Sequence, residues 1–398
     1  MARIVISGYM IRHPMAGLHL ADFHYLLGLH RLGHEIIYVE DSGWPESCYN
    51  TIEQTYSSDP AFGLNSVHNL FAFFGVDIPI YYVDLENDKT YGGELSEVES
   101  LLQSCDVWIN VGGVCTMPQF ALCQRRVLVD MDPLFTQLGQ FAGGHLDFYD
   151  VHFTYGTNIG RAECPIPTNG ISWHPLFPPV VPDVWQAAEG DSSVRDLTTT
   201  ASWTSYGSIE WEGRSYGQKD QEFLRFIELP QHCEQKISLA LSGEGKAIRD
   251  NFRDQGWNII DAATVSNTLA AYMGFITDSA GEFSVAKNAY VATNSGWFSD
   301  RSVCYLAAGL PIIVQDTGVA SSVETGIGIQ TFSNLEEARD AILDLQHNYQ
   351  QHSKRARELA YDVFSTDVTF PKMLETIMTT TIKPRTESAI KEKEKRLG

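Results

Sequence analysis

Two α/β domains, each a parallel sheet wrapped by helices, are what this 398-residue sequence predicts. Three observations predict them. The chain is too long for one ordinary core and fits two domains of roughly 150 to 200 residues. Residues 3 to 41 spell strand, helix and strand, the βαβ unit of a parallel sheet. The half after residue 196 restarts the same strand-to-glycine-turn logic at "ISLALSGEG".

Taken in order, "RIVISG" reads as a buried strand, followed by a helix from Gly17 that ends near Gly33 and the strand "EIIYVED". Further strands are expected at "IPIYYVDL", "DVWINVGG" and "RRVLVDMD", with the turn-rich "GVCTMP" and "MDPLFTQLG" just beyond strand ends. Ligands gather at such carboxyl ends in open α/β sheets. From about residue 150 to 196 periodicity fails and prolines crowd together, which reads as a domain boundary. Strands are expected again at "DLTTTASW" and "KISLALSG", an apolar helix at "QKDQEFLRFIELP", and a long helical pattern after "LEEARD". The expected division is 1–185 for the first domain with its proline-rich linker, 186–360 for the second, 361–380 for a helix crossing back, and 381–398 for a charged mobile tail.

The formal charge of −22 argues against nonspecific binding to nucleic acid or to an anionic membrane surface, so no nucleic-acid partner is expected. Seven scattered cysteines form neither a metal-spaced set nor a disulfide framework; free thiols and a cytoplasmic location are expected. The apolar run in "MARIVISGYM" is too short for a signal peptide or membrane span, and no transmembrane segment is expected. Nothing in the sequence fixes an oligomeric state.

The most informative stretch is "NSGWFSDRSVCYLAAGLPIIVQDTG". Ser299 is the expected N-cap of a helix whose unpaired N–H groups suit a phosphate, with Asp300 in its first turn and Ser302 beside it. Gly296 lets the preceding loop approach a ligand closely, and the Arg301 fork can grip phosphate oxygens. Gly309 and Pro311 turn the chain into an inner strand, at whose carboxyl end Thr317 is expected to make a polar ligand contact. A second set lies in "TTTASWTSYGSIEWEGRSYGQKDQEF": Thr200 and Ser202 at a strand end, then Arg214 and Lys219 as basic groups. A third is Glu282, placed to accept ribose or sugar hydroxyls, with Lys287 reaching a phosphate. Each set also admits a plainer reading, as a helix cap, solvent-facing charges or a local charge pair.

These blocks, in this order, resemble a glycosyltransferase of the GT-B fold, two facing Rossmann-like domains with a sugar nucleotide in the cleft. Gly17, Gly33, His34, Glu35 and Ile36 resemble the family's opening glycine, helix and Gly-His-Glu-hydrophobic strand. "LALSGEG" resembles its mid-domain strand and glycine turn, and "YLAAGLPIIVQDTG" its small-residue helix, Gly-x-Pro and strand. The chain departs from the group 1 type in lacking the usual pair of glutamates eight apart: Cys304 takes the in-helix place. The resemblance implies a nucleoside diphosphate sugar as donor substrate, no separate cofactor, and an unidentified acceptor. It also implies a donor role for the loop around Ser299 to Ser302 and a basic role for Arg214 and Lys219.

On the acceptor side, His13 and His19 flank the loop after the first strand, where a neutral imidazole can take a hydroxyl proton. Asp22, three residues after His19, is placed to orient it. Asp130 and Asp132 end another strand, and Asp132 is the competing base. His19, His24 and His30 do not share a helix face, so no metal site is expected. The leaving diphosphate is expected to be stabilised by basic side chains rather than a metal ion. Trp203 and Tyr206 are candidates to stack on a base. A nicotinamide oxidoreductase is disfavoured because "SGYMIRHPMAG" lacks Gly-x-Gly-x-x-Gly. A sugar-nucleotide epimerase or hydrolase of the same fold, and a non-catalytic binding or scaffold protein, remain open.

Overall fold

The computed structural model describes residues 1–187 and 192–382. The charged tail expected over 381–398 lies, from residue 383 on, outside the described residues. The chain forms two compact units. The first holds Met1–Tyr155, Pro167–Leu176 and the chain from Thr369 on; the second holds Gly156–Ile166 and Phe177–Val368.

The first unit is built on an eight-stranded sheet. Arg3–Ser7 lies at its centre and pairs in parallel with Glu35–Asp41 on one side and Val107–Val111 on the other, with Ile4 opposite both Ile36 and Val107. Ile80–Asp84 and the short antiparallel Lys89–Tyr91 extend one flank. Arg126–Asp130, Val151–Thr154 and Trp173–Pro175 extend the other in parallel. Every residue of Val107–Val111 and Arg126–Asp130 is buried, which is why these strands read as mostly apolar runs rather than alternating ones. The chain works outward from Arg3–Ser7 on one side, then crosses to the other. The carboxyl end of that strand is therefore a topological switch point, where open α/β sheets bind ligands.

The second unit repeats the scheme with six parallel strands. Leu197–Ser202 lies between Ile237–Ser242, followed outward by Asn258–Asp261, and Gly281–Ser284, followed outward by Ile312–Gln315 and Ile329–Phe332. Its switch point is the carboxyl end of Leu197–Ser202. The core beneath is aromatic: Phe283 stacks on Phe332 at 5.0 Å, and Phe226 meets Phe332 edge-on at 4.9 Å. Such pairs add roughly 0.5–1.5 kcal/mol beyond burial alone.

Several elements differ from expectation. The stretch from 150 to 196, expected to be irregular, contributes the strand Val151–Thr154 and the edge strand Trp173–Pro175. Four and three residues are too few to establish a period, and Pro175 is tolerated because it stands at a sheet edge. The apolar helix expected from Gln218 is only Lys219–Phe223, continued by tight turns at Leu224–Phe226 and Leu229–Gln231. Glu282, expected in a loop before a helix, lies inside the strand Gly281–Ser284.

Candidate functional site

In the second unit, the switch point collects three cations. Arg301 is the second residue of the helix Asp300–Ala307, which Ser299 caps by accepting the Arg301 N–H on its Oγ at 3.3 Å. Its guanidinium bridges strands. Nε donates to Glu282 Oε1 at 2.6 Å, Nη1 to the Thr200 carbonyl at 2.8 Å and Nη2 to Ser284 Oγ at 2.7 Å. A guanidinium carries five N–H donors, so two stay available to a ligand. Lys219 is 9% exposed, and its ammonium forms no hydrogen bond or ion pair among the described residues. Burial first, then repulsion from Arg301 and Lys287, lowers its pKa from the usual 10.5 to about 7. Lys287 sits over the Tyr206 ring at 4.2 Å and bonds its hydroxyl. Burial also pushes the Asp300 carboxyl above its ordinary range, against the pull of Arg301.

This geometry corrects several assignments. Glu282 is fully buried; Arg301 Nε occupies Oε1, and the Ser302 hydroxyl donates to Oε2 at 2.5 Å. Its carboxylate holds Arg301 rather than offering itself to ribose hydroxyls, and its ion-pair partner is Arg301, not Lys287. The Ser302 hydroxyl is likewise committed to Glu282. Thr317 donates to the Trp297 carbonyl at 2.7 Å, so its hydroxyl locks the loop instead of facing a ligand. The close approach that Gly296 permits is to the chain itself: a Cβ there would stand 2.5 Å from Thr157 Oγ1. Thr200 enters through its carbonyl. Ser202 ends its strand exposed and accepts from Ser242 Oγ at 3.4 Å. Arg214 lies exposed on the hairpin Ile209–Trp211 and Arg214–Tyr216, and is not among the charges that chiefly set the Lys219 pKa. Trp203 packs into the core against Phe223 and Phe252.

Sequence reasoning missed Gln218. It is 2% exposed, and neither its Oε1 nor its Nε2 finds a partner among the described residues. A buried amide unpaired at both ends, beside an ammonium that makes no hydrogen bond, fits a ligand that supplies a donor and an acceptor. The only signal was its place before Lys219 in "YGQKD".

In the first unit, His19 and Asp22 both face the loop after Arg3–Ser7 but do different work from that expected. His19 Nε2 lies 2.9 Å from the Met10 carbonyl, which can only accept, so Nε2 carries the proton and Nδ1 the lone pair. Burial lowers the His19 pKa to about 4. Asp22 Oδ2 accepts the Tyr9 N–H at 2.7 Å and thereby holds the loop. His13 stacks on Tyr9 at 4.4 Å with an interplanar angle of 6°, and its buried Nε2 has no partner among the described residues. Burial, then the Arg12 charge, lowers its pKa to about 4. Asp130 is structural: Oδ2 accepts from Thr154 Oγ1 at 2.7 Å and Gln137 Nε2 at 2.8 Å, and Oδ1 accepts the Asp132 N–H at 2.9 Å. Asp132 follows it in the strand-end loop, partly buried. Among the described residues no three His, Cys, Asp or Glu side chains are grouped to hold a metal ion, and all seven cysteines are free. No helix of the described residues is long and apolar enough to cross a membrane.

No protein-family model matches the chain, and no curated protein matches it. Solved structures do. An alpha-glucosyltransferase in complex with UDP and a 13-mer DNA containing a HMU base matches with a TM-score of 0.59 at 12% identity, covering 95% of this chain and 100% of that one. AviGT4, a glycosyltransferase involved in avilamycin A biosynthesis, matches with a TM-score of 0.55 at 13% identity, covering 95% and 97%. Anabaena Alr3699/HepE in complex with UDP and glucose matches with a TM-score of 0.52 at 12% identity, covering 95% and 100%. The DNA-bound structures overturn the expectation that nucleic acid is no partner. Whole-chain charge describes an average field, whereas nucleic acid is met by a local face. With two Rossmann-like α/β units matched along nearly their whole length to enzymes of this architecture, the chain has the GT-B fold of the nucleotide-sugar-dependent glycosyltransferases.

Proposed function

We propose that this chain is a glycosyltransferase that moves a sugar from a nucleoside diphosphate sugar to an acceptor hydroxyl. The observation that carries the reading is Lys219, a buried ammonium at the switch point of the second unit that forms no ion pair among the described residues. It lies beside Arg301 and Lys287, and the carboxylates of Glu282 and Asp300 only partly offset their repulsion. Burying a charge without a partner is costly, and an entering diphosphate supplies the missing partner. The UDP complexes of structures with the same fold support the donor class.

Charge builds on the leaving diphosphate as the glycosidic bond breaks. Lys219 and the two spare Arg301 N–H groups are preorganised to meet that charge, the task a metal ion performs elsewhere. Turnover is therefore expected to survive chelation, and a large loss restored by magnesium refutes metal independence. Gln218 is proposed to bind the donor beside Lys219. The first unit is proposed to hold the acceptor. There two imidazoles can take the proton, His13 through Nε2, which is unpaired among the described residues, and His19 through Nδ1, whose lone pair the Nε2–H bond to the Met10 carbonyl leaves in place. Asp22 positions the loop through the Tyr9 N–H, and Asp132 is the rival base. Its low pKa keeps the His13 imidazole neutral near pH 7, as a base requires, at some cost in driving force. The free thiols suit a cytoplasmic setting.

Calorimetric titration with UDP and UDP-sugars tests the reading. Wild-type protein should bind, and Lys219→Met should weaken UDP by roughly tenfold or more, the usual worth of a charge-assisted contact. Unchanged affinity in a folded Lys219→Met protein sinks the donor site. Product analysis with donor alone and with hydroxylated acceptors, hydroxymethylated DNA among them, separates transfer from epimerisation or hydrolysis.

A further inference from the structure

Two lysines at the switch point of the second unit are held where their charges repel. Lys219 opens the helix Lys219–Phe223, and Lys287 immediately precedes the helix Asn288–Ala292. Lys287, with Arg301, opposes the charge on Lys219. Left to their fields alone, two ammonium groups move apart. A set of hydrogen bonds centred on Asn288 holds them in place. The Asn288 N–H donates to the Gln218 carbonyl at 3.2 Å, and the Ala289 N–H donates to the Gly217 carbonyl at 3.1 Å. The Asn288 side chain works in both directions: Oδ1 accepts the Gly217 N–H at 3.1 Å, and Nδ2 donates to Glu222 Oε1 at 2.8 Å.

Glu222 completes the clasp from within the helix that Lys219 opens. Its carboxylate is buried, and Oε2 accepts from Gln315 Nε2 at 2.5 Å and from Arg225 Nη1 at 2.6 Å. Gln315, the last residue of the strand Ile312–Gln315, turns its Oε1 to the Ala286 N–H at 3.1 Å, one residue before Lys287. Gly217 and Glu222 therefore bracket Lys219 along the chain, and both are tied to Asn288. These groups spend their hydrogen bonds on one another, so their effect on a ligand passes through the lysines. An amide suits the place because it carries an acceptor and a donor on one planar group. Alanine there leaves the buried Gly217 N–H without its acceptor, and aspartate keeps that acceptor but turns an oxygen against the Glu222 carboxylate.

We infer that Asn288 is a positioning residue: through Gly217 and Glu222 it holds Lys219 beside Lys287, so that an entering diphosphate meets both cations in one place. The inference rests on the donor reading for its consequence, but the placement is tested without donor. In full-length protein carrying isotopically labelled lysine, the NMR signal of the Lys219 Cε, assigned by its loss in Lys219→Met, reports the protonation of that amine. In the wild type it should titrate near pH 7. In Asn288→Ala, Lys219 swings out toward water and away from Lys287 and Arg301. Its titration should then move up toward 10.5, the smaller pull of Glu282 and Asp300 notwithstanding. Asn288→Asp should act the same way, and adding Glu222→Gln, which exchanges donor and acceptor across the pair, should bring the titration back. Calorimetry should show UDP weakened roughly fivefold or more in each single Asn288 variant and restored when Asn288→Asp is combined with Glu222→Gln. A lower melting temperature with the Lys219 titration unmoved means that Asn288 serves the fold alone, and overturns the inference. So does a combined variant that recovers nothing of what Asn288→Asp loses, or a wild-type Lys219 that titrates at the ordinary value. If Asn288→Ala does not fold, Asn288→Asp with and without Glu222→Gln decides the matter. A wild type that does not bind UDP strikes the donor reading and leaves the Lys219 titration to decide this one.

Discussion

An ammonium buried beside two other cations gives up its proton readily, and in Lys219 this couples folding and ligand binding to pH. Its pKa of about 7 lies below the ordinary 10.5, so between those values the unfolded chain holds a proton that the native chain lacks. The sign is that stability from this group rises with pH from about 7 to about 10.5 and is least below 7. A bound diphosphate favours the charged form and moves the pKa upward. At pH 8, UDP binding should therefore take up close to one proton, measured by calorimetry in two buffers of different ionisation enthalpy, and Lys219→Met should abolish the uptake. Arg301→Ala should behave differently, because Glu282 then keeps a buried carboxylate without its ion pair. A loss of roughly 3–5 kcal/mol in denaturant unfolding is expected, larger than any effect on donor affinity. The sequence marked Arg301 and Lys219 because basic residues near helix starts are visible locally. It misplaced Glu282 because the partner of that carboxylate is nineteen positions away along the chain, across a helix start, and only the sheet brings them together.

Elements were legible where burial on both faces leaves a mostly apolar run, as in Arg3–Ser7, Val107–Val111 and Ile237–Ser242. They were not legible where the strand is short and tertiary pairing alone defines it, as in Val151–Thr154. The helix Asp300–Ala307 illustrates a start that local chemistry does fix: Ser299 caps it, and Ser299→Ala should cost about 1 kcal/mol in denaturant unfolding. Just before it, Gly296 has φ 73°, and a side chain there would meet Thr157 Oγ1 and the Asn158 backbone. Gly296→Ala should thus cost more than the cap, roughly 1–3 kcal/mol from backbone strain alone, seen as a lower melting temperature. An equal or smaller loss than Ser299→Ala would show that the Thr157 segment yields easily.

At the scale of the whole chain, two α/β units were predictable from length and the repeated strand–turn pattern, but their interlacing was not. The chain leaves the first unit at Tyr155, gives Gly156–Ile166 to the second, returns with Pro167–Leu176 to supply an edge strand, and comes back finally at Thr369. Nothing local announces the detour, because Asn158 is an ordinary loop residue until its amide finds the carbonyls of Asn294 and Gly318 at 3.0 and 3.1 Å. Those carbonyls lie 136 and 160 positions downstream. A ribosome adding about 5–20 residues each second reaches them on the order of ten seconds or more after Asn158 has emerged. During that interval the nascent segment lacks the native acceptors of its amide, and Arg161 has not yet met the Ser321 carbonyl it later donates to at 3.3 Å. A fragment released at residue 293 should accordingly be cut by trypsin at Arg161 far faster than the finished protein. The order of synthesis thus leaves a window, closed only once residue 321 has been made, in which this chain is most in need of a chaperone.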